Sequence, residues 1–332
     1  MKMSRGAFAL ALAAAVAIVA LVGLVVGGAH LGARETLLAL TGRGEDVSRA
    51  IVWDLRAPRV ALGFLVGGAL AVAGASLQAL VRNPLADPYL LGLSGGASLG
   101  AVLAIALGMG SVWGMPAAAF VGALVTIAAV YRLALVAGGL LDSRVLLLAG
   151  VVIGAFAGAL TSGILAVSES TRIRSAMLWL LGGLGGVSWT GVVALAVYSV
   201  PALAVLAREA RALNLLSLGE EPAQYLGADV AATRRRVYAA ASLLTAAAVA
   251  AAGIIGFVGL AVPHLIRMIR GQDYRGLLPS AFVLGGVFVV ASDALARTLF
   301  APLELPVGVV TAVIGVPVFA LLLRRGAARS AP

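Results

Sequence analysis

Between Ala7 and Ala29 the chain runs for 23 residues without a charge, and about 20 such residues cross a hydrocarbon core as one helix. Further apolar runs follow at 57–81, 90–109, 112–136, 145–167, 187–207, 237–263, 277–300 and 306–323, nine in all. Of the 332 residues, 62% are hydrophobic and 11% charged, whereas about a quarter are charged in a soluble domain. Such a chain cannot cover itself with water-compatible groups, which excludes a soluble globular enzyme and predicts an all-α polytopic membrane protein. Lys2, Arg5 and the small residues near Ala29 imitate a secretory leader. The apolar stretch exceeds the roughly 7 to 15 residues of a leader core, so it reads as a retained first span.

The run from Val237 to Pro263 carries Gly253, Gly256 and Gly259 before its proline. It reads either as one tilted span or as a span followed by a short broken helix ending near Arg270. Parity chooses. Lys2 and Arg5 precede the first span, Arg324, Arg325 and Arg329 follow the last, and arginine-rich flanks favour the cytoplasm. Both termini inside demands an even number, hence ten spans. Most of the 24 basic residues then fall inside, leaving Arg34, Arg43, Arg49, Arg56, Arg59, Arg172, Arg174 and Arg297 outside. A long apolar helix, a Gly/Pro interruption and a short apolar helix recur from Pro58 to Leu107 and from Val237 to Arg270. They enter from opposite sides, which predicts an inverted internal repeat of spans 2–5 and 7–10. Residues 1–332 read as a single transmembrane domain, with the one sizeable internal polar segment, 208–236, in the cytoplasm.

Composition also excludes chemistry. The net charge of +10 is scattered between apolar runs and forms no basic face with interleaved aromatics, so no nucleic-acid partner is expected. Lys2 is the only lysine, and the phosphate loop of a nucleotide hydrolase needs one after its glycines. If ATP drives this protein, another chain hydrolyses it. With no cysteine and only His30 and His264, the chain has too few ligands for a zinc or haem-iron site of its own. An ion-coupled secondary transporter usually buries a carboxylate deep in a span, whereas here every Asp and Glu falls near a span end or in a loop.

Several short stretches carry more specific information. Gly92-Leu93-Ser94-Gly95 fits an intramembrane serine protease with Ser94 as nucleophile and His264 as base, but small residues at a helix start equally let helices approach closely. His264 reads better as a hydrogen-bonded structural residue. Arg56-Ala57-Pro58-Arg59 opens a span on the outer face, either as interfacial anchors or as a basic rim for an acidic partner. Arg297 reaches the same face, four residues after Asp293 and so placed to form an exposed pair with it. Glu220 to Gly227, in the polar segment, reads as two short amphipathic helices joined at Gly219 or Gly227, either a solvated loop or a docking element. Residues 169–189, with Arg172, Arg174 and Trp179, are expected at the outer mouth.

In order along nearly the whole chain, these segments resemble the FecCD type, the permease family of type II ABC importers that carry iron-siderophores, haem and cobalamin. The matching stretches are Arg56 to Arg59, Gln78 with Arg82 to Pro88, Leu91 to Ala97, and Gly256 to Leu260 with Pro263-His264 and Arg267. Asp293 with Arg297, and Glu304 to Gly308 through Gly315 to Pro317, complete them. The resemblance implies ten helices per subunit, a homodimer with the pathway on its two-fold axis, two ATPase subunits beneath and a periplasmic binding protein above. It implies docking of that protein at Arg56, Arg59 and Arg297, and coupling to the ATPase through Glu220, Glu221, Ala223 and Gly227. It places a cytoplasmic gate at Asn83, Leu85, Asp142 and Ser143. The expected location is a bacterial inner membrane, with both termini cytoplasmic. No cofactor is implied for this chain; ATP and Mg belong to the partner ATPase.

Overall fold

In hydrocarbon every peptide group must find its hydrogen-bond partner within its own segment, so the apolar runs fold as helices. The computed structural model describes residues 4–27, 31–109, 113–137 and 143–330, and no strand occurs among them. The first seven helices are α1 (Arg5–Val25), α2 (Ala33–Leu40), α3 (Asp46–Ala50), α4 (Ala57–Leu80), α5 (Leu93–Ala106), α6 (Gly114–Val136) and α7 (Ser143–Ala166). Next come α8 (Ser170–Leu180), α9 (Trp189–Arg208), α10 (Ala210–Leu216), α11 (Glu220–Tyr225) and α12 (Val230–Ala252). The last three are α13 (Val258–Arg270), α14 (Tyr274–Thr298) and α15 (Val307–Ser330). A π-helical turn, Ile51–Arg56, leads into α4 and a 3-10 turn, Pro88–Leu91, into α5.

Six helical segments are long and apolar enough to cross a membrane: Gly6–Val25, Asp46–Leu80, Gly114–Val136, Arg144–Ala166, Trp189–Arg208 and Tyr274–Thr298. Two shorter apolar helices cover Leu93–Ala106 and Val307–Leu321. The glycine-bearing run divides as its second reading expects: α12 stops at Gly253, whose φ of +69° ends the helix, and α13 resumes at Val258. At about 1.5 Å per residue, the 13 residues of α13 reach roughly 20 Å, short of a full hydrocarbon core. The pattern of long helix, break and short helix is present twice, as α4 to α5 and as α12 to α13.

α4 is the axis of the packing and touches α1, α9, α12, α13 and α14. Helices in lipid gain little from hiding apolar surface from one another, so close contact depends on small residues that let backbones approach. A Cβ on Gly67 of α4 would lie 2.1 Å from the Gly285 carbonyl oxygen of α14, and one on Gly74 would lie 2.0 Å from that of Gly259 on α13. The α5–α6 seam is equally tight, a Cβ on Gly100 falling 2.1 Å from the Ala118 oxygen. These seams hold the two breaks against each other.

Candidate functional site

At the N-terminal end of α4, the C-terminus of α1 dictates the arrangement. A helix leaves its last carbonyls unpaired, and α1 has no basic residue in its own last turn. Arg56, delivered by the π-helical turn, donates through Nη1 to the carbonyls of Leu24 and Val25, both at 2.7 Å. Arg297 of α14 donates to the carbonyls of Gly23, at 3.1 Å, and Val26. Arg59 binds Asp293 through Nε and Nη2, the shortest contact being 2.8 Å, and its Nη2 also lies 2.9 Å from Glu304. Arg297 completes the cluster with an ion pair to Asp293 at 3.0 Å.

The pairing of Asp293 with Arg297 therefore forms as their spacing predicts, but it is not exposed. Asp293 is 1%, Arg297 4% and Arg56 5% exposed, because the last turn of α1 lies over the guanidinium groups and uses them as its cap. The part of this corner within reach of a partner is Arg59, with its side chain 14% exposed, and Glu304, at 46%.

Further along α4, the two helix breaks meet. The Tyr89 hydroxyl donates to the Ile255 carbonyl at 3.0 Å and accepts the Ile255 N–H at 3.2 Å, joining the break before α5 to the break before α13. Gln78 donates to the carbonyls of Ala86 and Gly259, each at 3.2 Å, while its own oxygen accepts from Arg267. Phe257, in the second break, has a left-handed backbone with φ +67°. Asp87 caps the 3-10 turn through the Tyr89 N–H at 2.9 Å, and burial pushes its carboxyl up to about 6. Tyr89 is absent from the sequence-derived candidates. Its position directly after Asp87-Pro88 was the available signal, since a tyrosine at a membrane break carries a polar tip that can satisfy freed backbone groups.

Of the gate candidates, Asn83 and Leu85 lie in the turn between Gln78 and this junction. Asn83 Oδ1 accepts the Leu85 N–H at 2.9 Å, a tight Asx turn, and the Leu85 side chain is 45% exposed. Ser143 opens α7, and Asp142 lies outside the described residues.

The polar segment folds as the two short helices expected of it, α10 and α11, joined at Gly219 with φ +124°. It is fastened on both sides. Asn214 donates to Asp273 at 2.7 Å and accepts the Tyr274 N–H at 2.8 Å. Glu220 Oε1 lies 2.5 Å from Arg234 Nη2 and 3.3 Å from Arg82 Nη2. Ala223 is fully buried, packed with Leu216 and Val230, whereas Glu221 and Gly227 face outward. The apolar tip consists of Leu218 (65% exposed), Leu226 (60%) and Tyr225 (90%).

The remaining candidates sort readily. His264 meets Phe319 edge-on at 5.9 Å, and no hydrogen bond of its ring occurs among the described residues, so aromatic packing replaces the expected hydrogen bond. Ser94 makes no described contact with it. Trp179, Gly183 and residues 185–188 line a mostly apolar cavity of about 540 Å³ with Trp113, Phe120 and Tyr198.

An all-helical, multi-pass membrane protein with paired helix breaks and a fastened polar segment is the class defined by this arrangement. The chain belongs to the FecCD transport family, whose model matches residues 15–325. It is 47% identical over 279 residues to the cobalamin import system permease protein BtuC of Halobacterium salinarum, covering 84% of this chain and 74% of that one. It is 39% identical over 315 residues to the hemin transport system permease protein HmuU of Yersinia pestis, covering 93% and 94%. A solved metal-chelate type ABC transporter in an inward-facing conformation superposes with a TM-score of 0.86 at 30% identity, covering 95% of this chain and 98% of that one.

Proposed function

We infer that this chain is the permease subunit of an ATP-driven importer that moves a metal chelate across the membrane by alternating access. The observation that carries the reading is the polar segment, whose apolar tip of Leu218, Tyr225 and Leu226 stands exposed while its base is tied to the end of α4 and to the start of α14. A tip of that kind suits insertion into a partner, and the ties suit transmission of force. The names of the relatives supply the cargo class, a cobalamin, a hemin or another metal chelate.

The working assembly is a homodimer with two ATPase subunits on the cytoplasmic side and a binding protein on the outer side of a bacterial inner membrane. ATP and Mg act on the ATPases, and no cofactor is bound by the permease. Ten crossings arise when α5, α12, α13 and α15 join the six segments that are both long and strongly apolar, with both termini cytoplasmic and the two break-containing halves inverted. Glu220, Glu221, Ala223 and Gly227 form the coupling element, and Asn83, Leu85, Asp142 and Ser143 the gate. At the outer corner Arg59 is the docking contact, with Arg56 and Arg297 holding α1 in place beneath it. Asp293, neutralised between two guanidiniums, is poorly suited to carry a coupling ion.

The test is uptake into proteoliposomes by this chain assembled with its ATPase and binding protein, using radiolabelled cobalamin, haem and a ferric siderophore. Uptake of one compound that requires both partners and ATP supports the reading and names the cargo. Uptake without ATP that follows an imposed ion gradient overturns it in favour of a secondary transporter.

A further inference from the structure

Four helices among the described residues end in the same hydrogen-bonded cap, in which the N–H two residues beyond the last turn reaches back to the carbonyl five positions earlier. The bonds are Arg43 N–H to Leu38 O, Asn83 N–H to Gln78 O, Met109 N–H to Ala104 O and Ala228 N–H to Ala223 O. This cap requires a left-handed residue, normally glycine because a Cβ is strained there. Three of the four comply, with Gly42, Gly108 and Gly227 at φ of +75°, +71° and +83°. The fourth, closing α4, is Arg82 at φ +50°. Glycine would satisfy the same backbone with less strain, so the side chain is what distinguishes this position.

The Arg82 guanidinium reaches Glu220, the first residue of α11, at 3.3 Å. The same carboxylate oxygen is held at 2.5 Å by Arg234 of α12, which is 3% exposed and whose Nε and Nη1 find no hydrogen-bond partner among the described residues. A buried guanidinium with so few partners depends on that carboxylate, which fixes Glu220 to α12. Arg82 is the arm that extends from this fixed point to Asn83, the next residue. Its side chain is 46% exposed, and an exposed ion pair adds little to stability. Strained backbone kept without a stability return is a feature of sites where position matters.

We propose that Arg82 is a positioning residue that ties the turn Asn83–Leu85 to Glu220, so that movement of α11 is delivered to that turn. The proposal rests on the importer reading and adds to it a specific contact through which the coupling segment acts. The informative variant is Arg82→Gly, which keeps the cap and removes only the arm. In the assembled complex, Arg82→Gly leaves the thermal midpoint equal to or above that of the unmodified protein. It also lowers the number of chelate molecules imported per ATP hydrolysed by about ten-fold, and Arg82→Lys restores most of that ratio. Glu220→Gln lowers the same ratio but also lowers the midpoint, because Arg234 loses its counter-charge. A ratio for Arg82→Gly within about two-fold of the unmodified protein overturns the proposal, including the case where uptake and hydrolysis fall in parallel. Absence of ATP-dependent uptake by the unmodified complex would instead overturn the importer reading itself.

Discussion

The carbonyls of Gly23, Leu24, Val25 and Val26 at the end of α1 have no helical partner ahead of them and turn to the arginines beneath. Arg56 and Arg297 meet that need, and their burial follows from it. Replacing Arg56 with alanine leaves the Leu24 and Val25 oxygens without a donor, a loss of about 1–3 kcal/mol. A lowered thermal midpoint of the purified permease in detergent is the expected result, and an unchanged midpoint would show that the Arg56 bonds do not hold the end of α1. The sequence alone brings Asp293 and Arg297 together because four residues make one helical step. It does not reveal that α1 covers them, since the contacts that decide it span 31, 32, 271 and 274 residues. A charge-reversal of Arg56 with Arg59 thus probes folding of α1 as much as any docking.

At the scale of elements, hydropathy places the helices well but does not orient them. Most of the runs are apolar on every side, so no periodic stripe tells a face buried against protein from a face turned to lipid; α13, with His264, Arg267 and Arg270 three apart on one side, is the exception. Asn83-Pro84 and Gly92 mark the first break and Gly253 and Gly256 the second, where the structure puts them, whereas Pro263, read with the second interruption, lies inside α13. Which glycines seal helix seams is set by the partner backbone and is illegible in the run itself. Gly67 and Gly158 illustrate the difference: a Cβ on Gly67 collides with Gly285, whereas nothing lies within 4 Å of one on Gly158. Gly67→Ala should therefore force α4 from α14 and cost about 1–3 kcal/mol or more. Gly158→Ala, in the middle of α7, should be neutral or stabilising by up to about 1 kcal/mol. Thermal melts of the two variants side by side check the contrast, and equal midpoints would show that the α4–α14 contact yields at no cost.

For the whole molecule, the distribution of arginines predicts an even number of crossings, while length and apolarity together qualify six segments. Part of the difference lies in short helices such as α5 and α13, which start at breaks tied to each other through Tyr89 and Gln78 and so need not span the core alone. The exposed residues of the polar segment differ from the coupling candidates read in the sequence, because Ala223 lies in its interior while Tyr225 and Leu226 project from it. A side chain exposed to the extent of 90% contributes almost nothing to the fold of its own chain. An aromatic residue in that position can nevertheless dominate an interface if a pocket on the partner encloses it. Tyr225→Ala combined with Leu226→Ala is expected to leave the thermal midpoint of the isolated permease unchanged. The same change should weaken capture of the ATPase by about ten-fold or more, equivalent to roughly 1.4 kcal/mol or more of binding free energy. Capture is measured by titrating detergent-solubilised permease with labelled ATPase. If affinity is retained, force enters the permease elsewhere than at this tip; if the midpoint falls as well, the two side chains belong to the fold and not to the interface.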